Sequence, residues 1–529
     1  MAPDYLAGVL LRKGYNVEIL DLDILGISAL DKVLSKKDYD LIGISYLSFQ
    51  TDIAMVIAER CHKILLTKGR RNLNSPNYAP IIVGGVGATW CDGIVPLYPN
   101  IDAFCIGEGL ITISEIADSV RKKIFLKDRA KIKGLIYFDK QKKKVIQTPK
   151  RPLVGNIDDY LPLRLHFYPS YNFTEIFGIK KTAQMMTQIG CPYCCVFCGE
   201  STKGPFVRKR SLTSIKRELK ILMREGYRAI YFDDSTFTYD KKRALQIISL
   251  IKNFHKKYGV IWGFNTRVDC LDEEILIKMK ESGVAYMFTG VESLAPEVVV
   301  GMNKVIPGLN KNYPPLIKTP QDYVERAKKV YKIMNNLGII KSCFLIFGGP
   351  KKIVENGRKK MMVESFEDTK KSINTAVFEL NPNYISINIL RFIPDAIMSF
   401  TEPYAVIRGQ KEPFTGGYFS SRYRKKYKIK KRGFSHPIYL AFEAASDFYP
   451  MPPHLTPKYC YKILKYLVTK VNKHNKKFKV KTKIWIDEEF ERFIPRDKNG
   501  IYHLVSFTKI KKIHRPPTLH HHLIPPCPH

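Results

Sequence analysis

Thr182-Ala-Gln-Met-Met-Thr-Gln188 and, directly after it, Cys191-Pro-Tyr-Cys194-Cys195-Val-Phe-Cys198-Gly199 decide how this chain reads. The first segment is a short apolar strand, and it opens a series. Strand patterns recur at Ala229–Phe232, Ile261–Asn265, Tyr286–Gly290, Ser342–Phe347 and Tyr384–Leu390. Helical patterns separate them at Ser214–Glu225, Lys241–Tyr258, Glu273–Ser282, Thr319–Leu337 and Phe366–Leu380. Strands alternating with helices build a parallel sheet. Six such units fit a partial or full β/α barrel better than an open sheet, with chemistry at the C-terminal strand ends. The cysteine segment, following the first strand, then occupies a loop at the top of that barrel.

Cys191, Cys195 and Cys198 have the spacing C-x3-C-x2-C. Three thiolates on one short loop can hold three irons of a 4Fe–4S cluster, leaving the fourth iron open to an exogenous ligand. A zinc site is the alternative, with Cys194 as a fourth thiolate, although adjacent Cys194 and Cys195 would struggle to point at one tetrahedral ion. Plain buried cysteines are another. The remaining seven of the eleven cysteines are scattered singly, which does not suggest a disulfide framework.

Before the barrel, residues 1–125 alternate in the same way. Tyr5–Lys13 reads as a helix, Asn16–Asp21 as a strand, Asp40–Ser45 as a buried strand and Ala54–Leu66 as a helix. Pro80–Val83 ends in Gly84-Gly85, and Ala103–Ile106 ends in Gly107-Glu108-Gly109. The pattern predicts a doubly wound parallel sheet, whose ligands sit beyond the C-terminal strand ends where these glycines fall. The glycines either admit a bulky ligand to the backbone or only make tight turns. A sheet of this kind opens with a strand before its first helix, whereas this chain begins almost inside that helix. The first strand therefore lies upstream or is missing from the domain.

Residues 126–175 read as a hairpin, Lys133–Phe138 with Val145–Thr148, and a connector. The barrel occupies 176–400. Residues 401–529 form a basic C-terminal region in which a helix at Thr456–Asn475 and a strand at Phe478–Ile486 suggest a small α+β domain. The composition, 45% hydrophobic and 26% charged over 529 residues, excludes a disordered chain. The net charge is +38, and 401–529 hold 27 basic and 9 acidic residues, densest at Arg422–Arg432. That block is a nucleic-acid or phosphate contact or, as basic runs usually are, a solvated face. No run is long and apolar enough to span a bilayer and the N-terminus has no secretory pattern, so a cytoplasmic protein is expected. The histidines of the tail, such as His520-His521-His522, read as a frayed end rather than a metal site.

The cysteine triplet, with Phe197 just before its last member, resembles the signature of the radical S-adenosylmethionine (SAM) superfamily. Tyr231–Thr238, Thr289–Ser293 and Phe347–Pro350 occur in the order of that family's other segments. The preceding domain resembles its cobalamin-binding subgroup, a Rossmann- or flavodoxin-like fold. The resemblance implies that an open iron of the cluster chelates SAM, and that one-electron reduction yields a 5′-deoxyadenosyl radical. An electron donor such as ferredoxin or flavodoxin is then required. By the same resemblance, Asp233 and Asp234 contact the methionine amino group, Arg267 the SAM carboxylate, Glu292 and Ser293 the ribose, and Gly348-Gly349 the adenosyl moiety. Each has a plainer reading as a cap, surface ion pair or tight turn. Ser45, Gly84, Gly85, Thr89, Gly107 and Gly109 match the region that cradles the cobalamin nucleotide tail. No Asp-x-His-x-x-Gly motif is present to supply a histidine to cobalt.

The reading implied is a cobalamin-dependent radical SAM enzyme that methylates an unactivated carbon. One alternative is a radical SAM enzyme of rearranging, cyclising or RNA-methylthiolating type, the last of which needs a second cysteine triplet in the N-terminal domain, with Cys61, Cys91 and Cys105 as candidates. Another is a corrinoid- or cluster-binding sensor without turnover. The substrate is not encoded in any motif of the chain.

Overall fold

The structure is a computed structural model and describes residues 2–47, 50–91, 94–160, 168–169, 173, 177–200, 206–305, 313, 317–355, 357–390, 457–478, 480 and 482–486. The described residues up to 160 form one compact unit and those from 168 onward another. The basic block at Arg422–Arg432 and the histidine-containing tail lie outside the described residues.

In the first unit, strands β1 (Ile42–Ser45), β2 (Ile81–Gly84) and β3 (Ala103–Cys105) are parallel neighbours in that order. The hairpin β4 (Leu135–Asp139) and β5 (Lys144–Gln147) extends the sheet antiparallel from β3. Helices α1 (Ala2–Arg12), α2 (Ser28–Lys36), α3 (Thr51–Thr67) and α4 (Gly109–Arg121) flank it. The period of two along β2 decides which helix covers which face. Ile81 and Val83 join an apolar cluster with Ala54, Met55 and Ala58 of α3, while Ile82 joins another with Ile116 of α4. Both faces are thus covered, as a doubly wound sheet requires.

One expected strand is absent. Residues 15–20 make no ladder, and among the described residues β1 has only β2 beside it. An extended segment becomes a strand only when a neighbour completes its hydrogen bonds. Here the side chain of Glu18 pairs with Lys37 (2.8 Å) and accepts from Tyr39 (2.5 Å), and the backbone finds no partner strand.

The second unit is an eight-stranded sheet. Its edge strand β6 (Tyr168–Pro169) runs antiparallel to β7 (Lys181–Met185). Parallel pairing then continues through β10 (Ala229–Phe232), β11 (Ile261–Arg267), β12 (Val284–Glu292), β13 (Ile340–Phe347), β16 (Tyr384–Ile389) and β17 (Lys483–Ile486). Two short ladders stand apart, β8 (Gln188–Ile189) with β9 (Arg208–Lys209), and β14 (Pro350–Glu355) with β15 (Arg358–Val363). The crossover helices are α5 (Leu212–Arg224), α6 (Lys241–Tyr258), α7 (Glu273–Glu281), α9 (Pro320–Asn336) and α10 (Phe366–Thr375), with the short α8 (Pro296–Gly301) after β12.

Local sequence explains these starts. Ser211, Asp240, Asp272, Thr319 and Ser365 each accept a hydrogen bond from a backbone N–H of the first turn, and the last two complete capping boxes. The six units are those the sequence predicts. The C-terminal helix and strand, however, do not make a separate sheet. Helix α11 (Pro457–Phe478) packs on α10, and β17 adds to β16 as a seventh parallel strand. The apolar core lies between sheet and helices and is dense in aromatics, with Trp262 stacked on Phe264 at 5.2 Å and Phe237 beside both.

Candidate functional site

The cysteine loop is held at its root by charge. Beyond β7 the chain passes through Thr187 and Gln188, and the fully buried Asp234 at the end of β10 accepts from both. Its carboxylate takes the backbone N–H of Thr187 (2.7 Å), the Thr187 hydroxyl and the N–H of Gln188 (3.3 Å). Gln188 donates from Nε2 to Thr236 O (2.9 Å), and Arg243 reaches Thr187 O (3.1 Å) and Arg210 O (2.6 Å). Burial pushes the Asp234 carboxyl up to about 6, against the pull of its three donors. Asp234 thus anchors the loop. Its neighbour Asp233 donates its N–H to Met185 O (2.9 Å) and keeps its side chain open to solvent at the strand end, although surrounding protein still pushes that carboxyl up to about 6. Of the two, Asp233 is the carboxylate with room for a ligand.

All four loop cysteines are free thiols, Cys195 buried and Cys191, Cys194 and Cys198 half-buried. Burial raises Cys191 above the ordinary thiol range and pushes Cys198 up to about 12. Arg267, at the end of β11, donates from Nη1 to Cys195 Sγ (3.0 Å). Its Nε and Nη2 are committed elsewhere. Nε and Nη2 clamp Asp269 (2.9 and 2.8 Å), Nη2 also reaches Lys304 O (2.5 Å), and the Tyr193 ring lies 4.0 Å beneath. The expected role on a SAM carboxylate has no free fork to perform it. Cys191 Sγ lies 3.6 Å from Thr236 Oγ1, and Asn303 Nδ2 holds Cys194 O (2.8 Å).

Glu292 ends β12 with φ +65°, in the left-handed region that few side-chain-bearing residues enter. Its Oε1 faces Lys304 Nζ at 3.4 Å, and Lys304 also donates to Gly290 O (3.1 Å). Oε2 is buried with no partner, and burial raises the carboxyl above its usual range. An orphan buried acceptor is rare and calls for a donor. Ser293 is differently placed. Its hydroxyl pairs with Ser372 Oγ (3.1 Å) and accepts from Ala295 N (3.2 Å), so it braces β12 against α10.

Gly348 and Gly349 turn the chain from β13 into the β14–β15 hairpin, Gly348 at φ +84°. Both N–H groups donate to Glu364 Oε2 (2.5 and 3.2 Å), and the Glu364 N–H returns to Gly349 O (2.8 Å). Glu364, like Asp269 and Lys304, belongs to no sequence motif. Folding of the hairpin brings it to the turn. Cys195, Arg267, Asp269, Lys304 and Glu292 thus form one buried network beside the cysteine loop. Among the described residues, no group of three or more His, Cys, Asp or Glu side chains is placed to hold a metal ion.

The sequence pattern of the radical SAM superfamily matches residues 185–356. The chain carries a radical SAM domain. It is 32% identical over 337 residues to an uncharacterized methyltransferase of Pyrococcus horikoshii, covering 62% of this chain and 65% of that protein. It is 23% identical over 379 residues to the anaerobic magnesium-protoporphyrin IX monomethyl ester cyclase of Rubrivivax gelatinosus, covering 69% of this chain and 60% of that one. The chain therefore spans less than two thirds of the length of either relative. The fold is shared with the radical SAM methyltransferase TsrM of Kitasatospora setae, solved with cobalamin and a 4Fe–4S cluster bound. The TM-score is 0.56 at 18% identity, over 77% of this chain and 75% of that one. That likeness extends well past the radical SAM domain itself.

In the unit that precedes the radical SAM domain, β1, β2 and β3 are parallel, so Ser45, Gly84 and the Gly107–Gly109 turn lie along one sheet edge, with Ser45 in register with Gly84. Gly107 has φ +80° and no atom within 4 Å of where a Cβ would stand, so its surroundings are open. Gly85 differs. At φ +99° its Cβ would fall 2.5 Å from Tyr46 O and 2.9 Å from Tyr46 N, so the approach it permits is that of the β1 loop. A Cβ at Gly109 would lie 3.2 Å from the Leu6 side chain of α1. Thr89 falls in the turn Val86–Trp90, and its side chain is outside the described residues. Cys61 and Cys91 are buried in one apolar cluster and Cys105 in another. They do not form a second cysteine triplet.

Proposed function

We propose that this protein is a radical SAM enzyme that carries a 4Fe–4S cluster on Cys191, Cys195 and Cys198 and methylates an unactivated carbon with the aid of cobalamin. One arrangement carries the reading. Three thiols stand on the loop after β7, a fixed guanidinium rests on Cys195, and the same network ends in Glu292 Oε2, which lacks a donor. A ribose hydroxyl of SAM is a donor of the required kind. Asp233, open at its strand end, suits the methionine ammonium electrostatically, whereas the space beside Gly349 is filled by Met302, so that glycine admits a side chain of its own fold.

When bound, the cluster supplies the electron that cleaves SAM. The chain positions the reactants and excludes water around the buried network. Cobalamin binding is assigned to the segment 1–125, at the edge lined by Ser45, Gly84 and Gly107, and the cluster and SAM to 176–400. The cobalamin-bound relative of shared fold and the methyltransferase relative support this assignment. The cyclase relative supports a second reading, radical SAM chemistry without methyl transfer. Cys61 and Cys91 lie in one apolar core and Cys105 in another, which gives RNA methylthiolation no second cysteine triplet.

A one-electron donor such as ferredoxin or flavodoxin is the implied partner. Free thiols that must stay reduced favour a cytoplasmic setting, and no helix among the described residues is long and apolar enough to cross a membrane.

The test is anaerobic reconstitution followed by addition of SAM and reductant. About one cluster per chain is expected, lost in Cys191→Ala, Cys195→Ala and Cys198→Ala but kept in Cys194→Ala. Formation of 5′-deoxyadenosine separates an enzyme from a sensor. Retention of hydroxocobalamin in equilibrium dialysis separates the methylating from the non-methylating reading.

A further inference from the structure

Arg267 is built into its position more firmly than an ion pair at a strand end requires. Its side chain is 6% exposed and that of Asp269 wholly buried. The two parallel bonds to Asp269 fix the plane of the guanidinium, the Lys304 carbonyl takes a further N–H, and the Tyr193 ring closes one face at 4.0 Å. Tyr193 is itself pinned through its hydroxyl to Cys270 Sγ (2.7 Å). What this leaves is the pair of N–H groups on Nη1, one of which is aimed at Cys195 Sγ from 3.0 Å. A surface cation would average its field over many rotamers, whereas this one can deliver a directed bond to one sulfur.

We propose that Arg267 is a positioning residue that sets the reduction potential of the cluster through its hydrogen bond to Cys195 Sγ. The inference rests on the cluster reading above, with Cys195 as a ligand. Hydrogen bonds to cluster sulfurs and buried charge are among the factors that set such potentials. The oxidised cluster gains one electron from an external reductant, and no bond in the protein forms or breaks. The added negative charge spreads onto the ligand sulfurs, so a cationic donor on one of them stabilises the reduced form more than the oxidised form. Arg267 therefore raises the potential. Asp269 has the opposite sign but is bonded through Nε and Nη2, away from the sulfur. Its role is to hold the fork.

Two variants test this in the full chain, each measured for iron content and by anaerobic dithionite titration followed by electron paramagnetic resonance, without SAM. Arg267→Lys keeps one cation beside Asp269, but a single ammonium cannot clamp that carboxylate in two places and still reach Cys195. Arg267→Gln combined with Asp269→Asn removes both buried charges together and leaves neither unpaired. Each variant is expected to retain iron and to show a fall of roughly tenfold in the equilibrium constant for reduction, about 59 mV for a one-electron couple. Retained iron with an unchanged potential in both would overturn the proposal. Iron loss from Arg267→Lys as complete as from Cys195→Ala would also overturn it, assigning Arg267 a structural role. Absence of iron from the unaltered protein would instead refute the cluster reading on which the inference rests.

Discussion

Asp234→Ala should deprive the protein of its cluster before it affects SAM. The substitution strands three buried donors, Thr187 N, the Thr187 hydroxyl and Gln188 N, at the root of the cysteine loop. Leaving a buried donor unsatisfied costs about 1–3 kcal/mol, so three cost roughly 5 kcal/mol once the loop relaxes. Against this stands a gain. The carboxyl sits near 6 instead of 3.8, so its ionised form already costs about 3 kcal/mol in place, and alanine removes that penalty. The net is about 2 kcal/mol, concentrated on the loop that carries the thiols, enough to displace it in most molecules. Asp234→Asn keeps an acceptor for the two N–H groups and should retain most of the iron. The assay is iron per chain after anaerobic reconstitution, with SAM affinity measured on the same preparations. Full iron with lost SAM binding in Asp234→Ala would refute the reasoning and return Asp234 to the ligand.

Asp233 gives a pH prediction. Its folded carboxyl is near 6 against 3.8 ordinarily, so the native state holds the proton more tightly and this group's contribution to stability is lost as pH rises from about 4 through 6. Asp233→Asn should therefore melt above the unaltered protein at pH 7 and converge with it below pH 4, and equal melting temperatures at pH 7 would disprove the shift. Gly85→Ala places a Cβ against the Tyr46 backbone at a left-handed φ, so a loss of ~1–3 kcal/mol from strain alone is expected in denaturant unfolding, with iron content unchanged. A neutral result there would reopen Gly85 as a ligand-facing position. Glu364, pushed up to about 8 by burial, holds Gly348 and Gly349 mostly as the neutral acid at pH 7. Glu364→Gln should bind SAM as the unaltered protein does at pH 7 and, unlike it, show no weakening between pH 7 and 9. Parallel pH profiles would contradict this.

The sequence by itself determined the order of the barrel's strands and helices and the place of the cysteine loop. Those features are local, since strand runs, helical periodicity and the caps at Ser211, Asp240, Asp272, Thr319 and Ser365 act over a few residues. Tertiary structure decided whatever depends on a distant partner. Residues 16–21 carry a strand pattern, yet no neighbour completes their ladder, while Lys483–Ile486 becomes a barrel strand because β16 offers an open edge. Asp233 and Asp234 are adjacent carboxylates in sequence. Only the fold turns one to solvent and buries the other under Thr187 and Gln188, residues 47 and 46 positions away. The same holds for Arg267, which finds Cys195 across 72 residues, and for Glu364, which reaches Gly348 only because a hairpin folds back between them. A hydrogen bond is short and directional, so the sequence can supply its donor and acceptor, but only packing brings them within 3 Å.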